Sequence, residues 1–245
     1  MASETNCVRK RGRTVKQVLS AMFMAVAVVV LIPLSALAIS ISVPGTSDPW
    51  LAGMPNGSTA SLGDTAPDQS PVLVLGLNLG SGVFLTFNVS GAVSNGPCCA
   101  LVGPDGGGFI SHTTGAENGI ADATAPINAL VGVFLDNNQP DLTPPPSSLD
   151  FGSIGLGFPS LSPGLKQVFF IGDGLTGTGS GATQEFFIPA GATRLFLGTM
   201  DGFEWSNNLG SFDVTVPEPS ALLLFPFGLT VMGLIRRRLI QGIGE

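Results

Sequence analysis

The stretch 201–208 carries the densest group of oxygen-bearing side chains in the sequence. It offers Asp201, Glu204, Asn207 and Asn208 within eight positions. Calcium takes about six to eight oxygen ligands from carboxylates, amide side chains and backbone carbonyls, so one such loop supplies roughly half of a site. We predict that these four residues hold one calcium ion, with the remaining oxygens coming from another loop. The alternative is a turn in which the Asn and Asp side chains cap their own backbone.

Aromatic rings and one imidazole are the other groups with functional potential. Trp205 and Phe203 either stack on the apolar face of a sugar or cover the end of the fold. His112 is the single histidine, and in a glycine-rich loop it is ordinarily an exposed polar residue. No nucleophile–histidine arrangement can be assembled around it, and no acidic residue lies in an apolar stretch that would raise its pKa. The sequence therefore predicts that the protein is not an enzyme. A carboxylate pair for glycoside hydrolysis stays open, because distance in space decides it.

Short apolar stretches separated by glycine and proline surround these residues. The candidate strands are 39–43, 72–79, 83–89, 129–135, 167–171, 185–188, 194–197 and 211–216. In 83–89, the side chains of Leu85, Phe87 and Val89 lie on one face, as a period of two requires. Many short strands between turn residues are typical of an all-β protein, and we predict a single antiparallel β-sandwich.

The stretch 188–216 resembles the bacterial galactophilic calcium-dependent lectins, which belong to the galactose-binding-like β-sandwiches. In that family a Leu-x-Leu strand leads to an Asp, a short loop, Asn-Asn-x-Gly-Ser-Phe and a Val-rich strand. The matching residues are Leu195-Phe196-Leu197, Asp201 and Asn207-Asn208-Leu209-Gly210-Ser211-Phe212, with the Asp offset by about one position. A weaker match extends upstream through 92–97, 103–106 and 129–132.

This resemblance implies a jelly-roll type of sandwich and a calcium ion that also coordinates sugar hydroxyls. The implied ligands are Asp201, Asn207, Asn208 and the backbone carbonyl near Glu204, with a further carbonyl from 95–97. It also implies that His112 contacts the sugar, and Trp205 is the second predicted carbohydrate-binding residue. The insertion 136–164 and the pair Trp205-Ser206 depart from the family pattern.

The C-terminal segment 217–241 has three parts in a fixed order. Pro217-Glu218-Pro219 is followed by an uncharged apolar run, 220–235, and then by Arg236, Arg237 and Arg238. A basic cluster beside an apolar run lies in the cytoplasm, so the preceding chain lies outside. The run spans about 24 Å as a helix, short of the roughly 30 Å hydrocarbon core. The order resembles the PEP-CTERM sorting signal of Gram-negative bacteria, whose tail an exosortase removes. An ordinary tail anchor is the alternative.

The N-terminus has the three regions of a secretory signal peptide. A basic region ends at Lys16, an apolar region spans 18–34, and Ala36-Leu37-Ala38 has the small-x-small form of a cleavage site. We predict cleavage after Ala38, with an uncleaved membrane helix as the alternative. Either way the chain leaves the cytoplasm. Together with the sorting signal, this predicts export across the inner membrane of a Gram-negative bacterium, a transient membrane anchor, and a final location at the cell surface or in the extracellular matrix.

The chain is thus divided into a signal peptide (1–38), an irregular extension (39–70), a β-sandwich (71–216) and a sorting signal with a transmembrane helix (217–241). Residues 39–216 hold two basic and fourteen acidic side chains, a formal charge of −12. Nucleic acid is excluded as a partner, because a phosphate backbone needs a basic surface.

Cys98 and Cys99 are adjacent and form either a vicinal disulfide or two free thiols.

We expect an exosortase and an envelope or extracellular polysaccharide as partners, and the membrane before processing. The predicted function is that of an exported protein that binds such a polysaccharide with calcium. The alternatives are a structural matrix protein that binds no sugar and, third, a polysaccharide hydrolase.

Overall fold

A computed structural model describes residues 38–80 and 82–217 of the 245-residue chain, and these residues form mainly β-strands. The strands are β1 (Ala38–Pro44), β2 (Thr59–Ala60), β3 (Asp64–Thr65), β4 (Val72–Leu73), β5 (Phe84–Leu85), β6 (Asn88–Ser94), β7 (Phe109–Ser111), β8 (Ala123–Pro126), β9 (Leu130–Leu135), β10 (Leu149–Asp150), β11 (Ser160–Leu161), β12 (Val168–Phe170), β13 (Leu175–Gly177), β14 (Ser180–Thr183), β15 (Glu185–Phe187), β16 (Arg194–Thr199) and β17 (Leu209–Pro217).

Helical structure in the same residues is limited to one α-helical turn and two 3₁₀ turns. These are α1 (Phe151–Ile154), Pro49–Leu51 and Pro140–Leu142. None of the helices in the described part of the chain has the length and apolar content that a membrane span requires. The predicted all-β class is therefore confirmed for residues 38–80 and 82–217.

Two sheets carry the framework. In the first, β17 lies between β1 and β6, and both pairings are antiparallel. The second has the order β12-β9-β16-β4 and is antiparallel throughout. Two smaller sheets, β10-β8-β7 and β11-β15-β5, each contain one parallel pair, which the prediction of a purely antiparallel fold did not include. Because β16 and β17 follow each other in the chain but lie in different sheets, the loop between them connects the two sheets.

Strand β9 is the most deeply buried element of the second sheet. All six of its residues are buried, as expected for a strand covered on both faces. Gly132 at its centre has no side chain because the Phe169 ring of β12 occupies that space. A Cβ atom at Gly132 would lie 2.6 Å from Phe169 Cζ.

The predicted alternation in 83–89 is confirmed, although the strand is interrupted. Leu85, Phe87 and Val89 are buried, whereas Asn88 is exposed. The stretch contains the whole of β5 and the start of β6 rather than one continuous strand. The predicted strand 72–79 is likewise reduced to Val72–Leu73, which pairs with β16.

The segment 39–70, expected as an irregular extension, is part of the core. Its first residues form β1, which pairs along its whole length with β17, and Trp50 and Leu51 are buried. The core cluster extends from Val43 to Val216. Since that cluster and the pairing of the first and last strands lie inside residues 38–217, this segment contains what an independently folding domain needs.

Candidate functional site

The loop that joins β16 to β17, residues 200–208, is held by bonds to the rest of the domain. Thr113 N–H donates a hydrogen bond to Gly202 O at 2.8 Å. Within the loop, Asn208 N–H donates to Trp205 O at 3.0 Å and closes a turn. The four predicted calcium ligands therefore lie on one constrained segment at the junction of the two main sheets.

Asp201 is a buried acid in this loop, with 5% of its surface exposed. Its Oδ1 accepts a hydrogen bond from Gly202 N–H at 2.6 Å. Burial raises the pKa of the Asp201 carboxyl, while hydrogen bonds from the Asn208 amide and from the Gly202 and Phe203 backbones act in the opposite direction. The carboxylate is therefore desolvated, and its charge is only partly compensated by dipoles.

Both basic side chains of residues 38–217 are engaged away from this loop. Lys166 Nζ donates to the carbonyl oxygens of Thr143 and Pro144 at 3.0 and 2.8 Å. Arg194 Nε donates to Asp136 O at 2.7 Å. Neither cation is bonded to Asp201, so the described residues supply no cationic side chain to pair with this carboxylate.

Glu204, Asn207 and Asn208 complete the predicted ligand set. Glu204 accepts hydrogen bonds from Ser206 Oγ at 2.9 Å and from Asn207 Nδ2 at 3.0 Å. Asn208 Nδ2 donates to Gly45 O at 3.2 Å, and its buried Oδ1 has no hydrogen-bond partner among the described residues. Residues 38–80 and 82–217 contain no group of three or more His, Cys, Asp or Glu side chains placed to hold a metal. A cation at the loop would therefore depend on amide and backbone oxygens.

Trp205 points into the protein from the same loop. Asp64 anchors it by accepting hydrogen bonds from the backbone N–H groups of Trp205 and Ser206 at 2.8 and 3.0 Å. The indole Nε1 donates to Thr199 O at 2.8 Å, and the side chain has no exposed surface. Of the two arrangements that the sequence left open, Trp205 thus fills the interior, whereas Phe203 is 49% exposed.

His112 is also buried, so the expectation of an exposed histidine is wrong. Its Nδ1 lies 2.7 Å from Gly115 O, a group that can only accept, which places the proton on Nδ1. Nε2 then accepts from Ser61 Oγ at 2.7 Å, with Glu117 Oε2 3.8 Å away. Burial lowers the pKa of His112, so the imidazole is neutral at neutral pH.

Three acidic side chains have pKa values raised by burial, which the sequence did not predict. The pKa of Asp48 lies well above its usual range, and those of Asp64 and Asp201 are also raised. Repulsion from nearby carboxylates adds to the effect: from Asp64, Glu117 and Asp201 at Asp48, from Glu204 and Glu117 at Asp64, and from Asp64 at Asp201. The expectation that no acidic residue would be perturbed is wrong, because the tertiary fold rather than the neighbouring sequence buries these groups.

Asp48 and Asp64 were not predicted to belong to the site. Asp48 precedes Pro49 and accepts from Trp50 N–H at 2.8 Å, so it caps the 3₁₀ turn. An acidic residue followed by proline is a recognisable N-terminal cap, and this signal was available in the sequence. Asp64 lies 141 positions from Trp205, to which it is bonded, and nothing in the sequence marks that contact.

Comparison of the chain with protein-family models, with characterised proteins and with solved structures finds no match. The resemblances to calcium-dependent lectins and to PEP-CTERM proteins therefore remain predictions from their motifs.

The predicted processing residues are only partly within the described segment. Ala38 begins β1 and Pro217 ends β17, and the two are paired across the sheet. The remaining predicted residues lie outside the described part of the chain: Ala36, Glu218, Pro219, Arg236, Arg237 and Arg238. The predicted signal peptide and transmembrane helix lie there too.

Cys98 and Cys99 lie on the surface in the loop after β6. Both thiols are free and exposed, and their sulfur atoms are 3.3 Å apart. Cys99 N–H donates to Gly96 O at 3.1 Å, which forms a turn. The pair thus has the thiol form here, and formation of a vicinal disulfide under oxidising conditions stays open.

Proposed function

We propose that this chain is an exported cell-surface or extracellular-matrix protein that binds envelope or extracellular polysaccharide with calcium. Its domain is a galactose-binding-like β-sandwich of the jelly-roll type, and the loop 200–208 holds the ion. The observation that carries the proposal is the buried Asp201 carboxylate next to Asn208, whose Oδ1 has no hydrogen-bond partner among the described residues. Calcium binds such carboxylate and amide oxygens.

The charges around the loop support a cation. Asp48, Asp64 and Asp201 repel one another in a buried region, and the two basic side chains of the described segment are bonded elsewhere. A buried charge without a partner is costly. A bound divalent ion would pair with Asp201 and offset the repulsion from its neighbours.

The glycan part of the proposal is supported by the motif resemblance and by one exposed ring. A calcium ion held on one side by protein oxygens has free positions for sugar hydroxyls. Phe203, half exposed and two residues from Asp201, offers an apolar surface on which a sugar ring can stack. The side chains of His112 and Trp205, the predicted sugar contacts, are buried beneath the loop and support it from inside.

The pairing of β1 with β17 brings the two ends of the described segment together, as a domain with a removable segment at each end requires. Ala38 and Pro217, beside the two proposed cleavage sites, are paired at one end of these strands. Gly45 and Asn208, bonded to each other, lie at the other end. Nine residues of β17 separate the ends by roughly 27 Å. In a chain anchored through its terminal segments, the calcium loop would face away from the membrane.

Calorimetric melting of residues 38–217 with calcium and with chelator tests the metal site. A bound ion stabilises the folded state by about 2.7 kcal/mol at a hundredfold excess over Kd, which raises Tm by several degrees. The double variant Asn207→Ala with Asn208→Ala should lose this calcium dependence and remain folded. The matched control is Asn137→Ala with Asn138→Ala, an Asn pair outside the site. If the wild-type Tm is the same in millimolar calcium and in chelator, the proposed calcium site is wrong.

A structural matrix protein that binds no sugar is the second candidate. The burial of His112 and Trp205 favours it, because both rings have packing roles. A glycan array run with and without chelator separates the two, since the proposed function requires binding that chelator abolishes. Release of sugars from a polysaccharide would instead indicate a hydrolase.

A further inference from the structure

Asn128 lies on a separate turn that contacts the candidate calcium loop, residues 200–208. It occupies the turn between β8 and β9 with a φ of 66°, a left-handed conformation that favours Gly and Asn. Its backbone N–H donates to Met200 O at 2.6 Å, so it contacts the residue next to Asp201. Only 3% of its surface is exposed. The backbone thus places a polar side chain inside the protein beside the loop.

The Asn128 side chain is only half satisfied. Its Nδ2 lies 3.4 Å from Asn95 Oδ1, while its buried Oδ1 has no hydrogen-bond partner among the described residues. A buried polar atom left without a partner costs about 1–3 kcal/mol. Asn208 Oδ1, on the loop itself, is unpartnered in the same way. Two buried amide oxygens, on residues that are bonded to Met200 and to Asp201, therefore lack a partner among the described residues.

A third segment reaches the same place. A Cβ atom built on Gly96 would lie 3.6 Å from Asn207 Oδ1, so the turn after β6 faces the loop. Asn128 connects to this turn through Asn95. The segments around 95–96, 128 and 200–208, far apart in sequence, thus present amide oxygens to one region that contains the Asp201 carboxylate.

We propose that Asn128 supplies its Oδ1 as a further ligand to the cation at Asp201, from a turn outside the loop 200–208. This inference rests on the proposed calcium site and adds a residue that neither the loop motif nor its spacing indicates. The ion is a hard divalent cation, because the available donors are all oxygens. Glycine would satisfy the backbone at position 128 equally well. The side-chain amide, with its unpartnered oxygen, is therefore what asparagine adds there.

The test is calcium titration of residues 38–217, with terbium as a luminescent substitute. Trp50 and Trp205 are the two tryptophans, and the chain has no tyrosine, so sensitised terbium emission reports on an ion near this region. Asn128→Gly keeps the left-handed backbone and removes the oxygen. We expect it to weaken calcium binding about 10- to 100-fold. In chelator its Tm should be unchanged or higher, because an unpartnered buried group is removed.

Asn128→Asp separates a ligand from a positioning residue. An added carboxylate oxygen should tighten calcium binding and lower Tm in chelator, because it introduces another buried charge. If Asn128 acted only by donating from Nδ2 to Asn95, the aspartate would lose that bond and binding would weaken. The latter result overturns the proposal.

Asn118→Gly is the matched control, since Asn118 also has a positive φ, 51°. Its Nδ2 donates to the carbonyls of Trp50 and Thr59, both at 3.1 Å. We expect a lower Tm with and without calcium and an unchanged affinity. Wild-type affinity in Asn128→Gly overturns the role of Asn128 and leaves the calcium site intact. Absence of calcium binding by the wild type overturns both.

Discussion

The imidazole of His112 lies flat against the indole of Trp50, with ring centroids 3.8 Å apart and planes 20° from parallel. Trp205 packs against both rings, at 5.6 Å from each. The three rings fill the space between the 3₁₀ turn after Asp48 and the loop 200–208. A neutral histidine thus serves here as a flat packing element that also bonds Ser61 and Gly115. This arrangement supports the loop without exposing a titrating group.

His112→Ala should therefore destabilise the domain whether or not calcium is present. Removal of a buried ring leaves a cavity between two indoles and breaks the hydrogen bonds of the ring to Ser61 and Gly115, at a cost of about 2–4 kcal/mol. Urea unfolding of residues 38–217 measures it. The control is Thr113→Ala, next in sequence and exposed, with an effect of about 0.5 kcal/mol or less. Wild-type stability of His112→Ala would show that the stacked arrangement contributes little.

Phe203→Ala should have the opposite profile. Its ring is half exposed, so its loss should change the unfolding free energy by about 1 kcal/mol or less. Under the proposed function, glycan affinity should fall about 5- to 30-fold, as expected for a lost stacking surface worth 1–2 kcal/mol. Array or calorimetric titration gives the affinity. Phe84→Ala, at a similarly exposed ring on β5, is the control, and equal losses in both variants would contradict a specific contact.

The sequence predicted the fold class well because the strand signal is local. Alternation marks Leu85, Phe87 and Val89, and all three are buried as predicted. The prediction from sequence failed where the burial of a residue depends on contacts with residues that are distant in the sequence. Nothing in the polar stretch around Trp50 shows that its ring packs against His112, which lies sixty-two positions away. Hence 39–70 was predicted as an extension rather than as core.

The candidate site was predictable to the extent that it lies on one loop. Asp201, Glu204, Asn207 and Asn208 are close in sequence, so their common location follows from spacing alone. Asn128, the further ligand that we propose, lies on another turn, and its buried state depends on contact with Met200, which the local sequence Ile-Asn-Ala does not encode. The raised pKa of Asp48 has the same origin, because folding and not its polar neighbours desolvates it.

Asp48→Asn should remove a pH dependence of stability. The folded pKa of Asp48 is raised above its ordinary value of 3.8, chiefly by burial, so its favourable contribution is complete below 3.8 and is lost as pH rises through the folded pKa. The amide stays neutral and still accepts from Trp50 N–H through Oδ1. The variant should therefore become more stable relative to wild type as pH rises from about 4 to about 8.

Chelator is needed in this comparison, because a bound cation would offset the same charge. The lowered pKa of His112 affects both proteins alike and cancels in the difference. Urea unfolding across the pH range gives that difference directly. Asp213→Asn, on the exposed face of β17, is the control, and its difference from wild type should stay within about 0.5 kcal/mol. A pH-independent difference for Asp48→Asn would contradict the burial of a titrating carboxyl there.

Glu218→Ala should block removal of the C-terminal segment if an exosortase recognises Pro217-Glu218-Pro219. Expressed in its native host, the variant should stay in the membrane fraction and retain residues 217–245. It should be about 3 kDa heavier than the mature wild type, at the mean residue mass of a 25.0 kDa chain of 245 residues. Intact mass spectrometry of both fractions gives the answer. The control, Asp213→Ala, removes a carboxylate in β17 outside the tripeptide and should be processed normally. Equal mature masses for Glu218→Ala and wild type would contradict the sorting signal, because the tripeptide is the feature that separates it from an ordinary tail anchor.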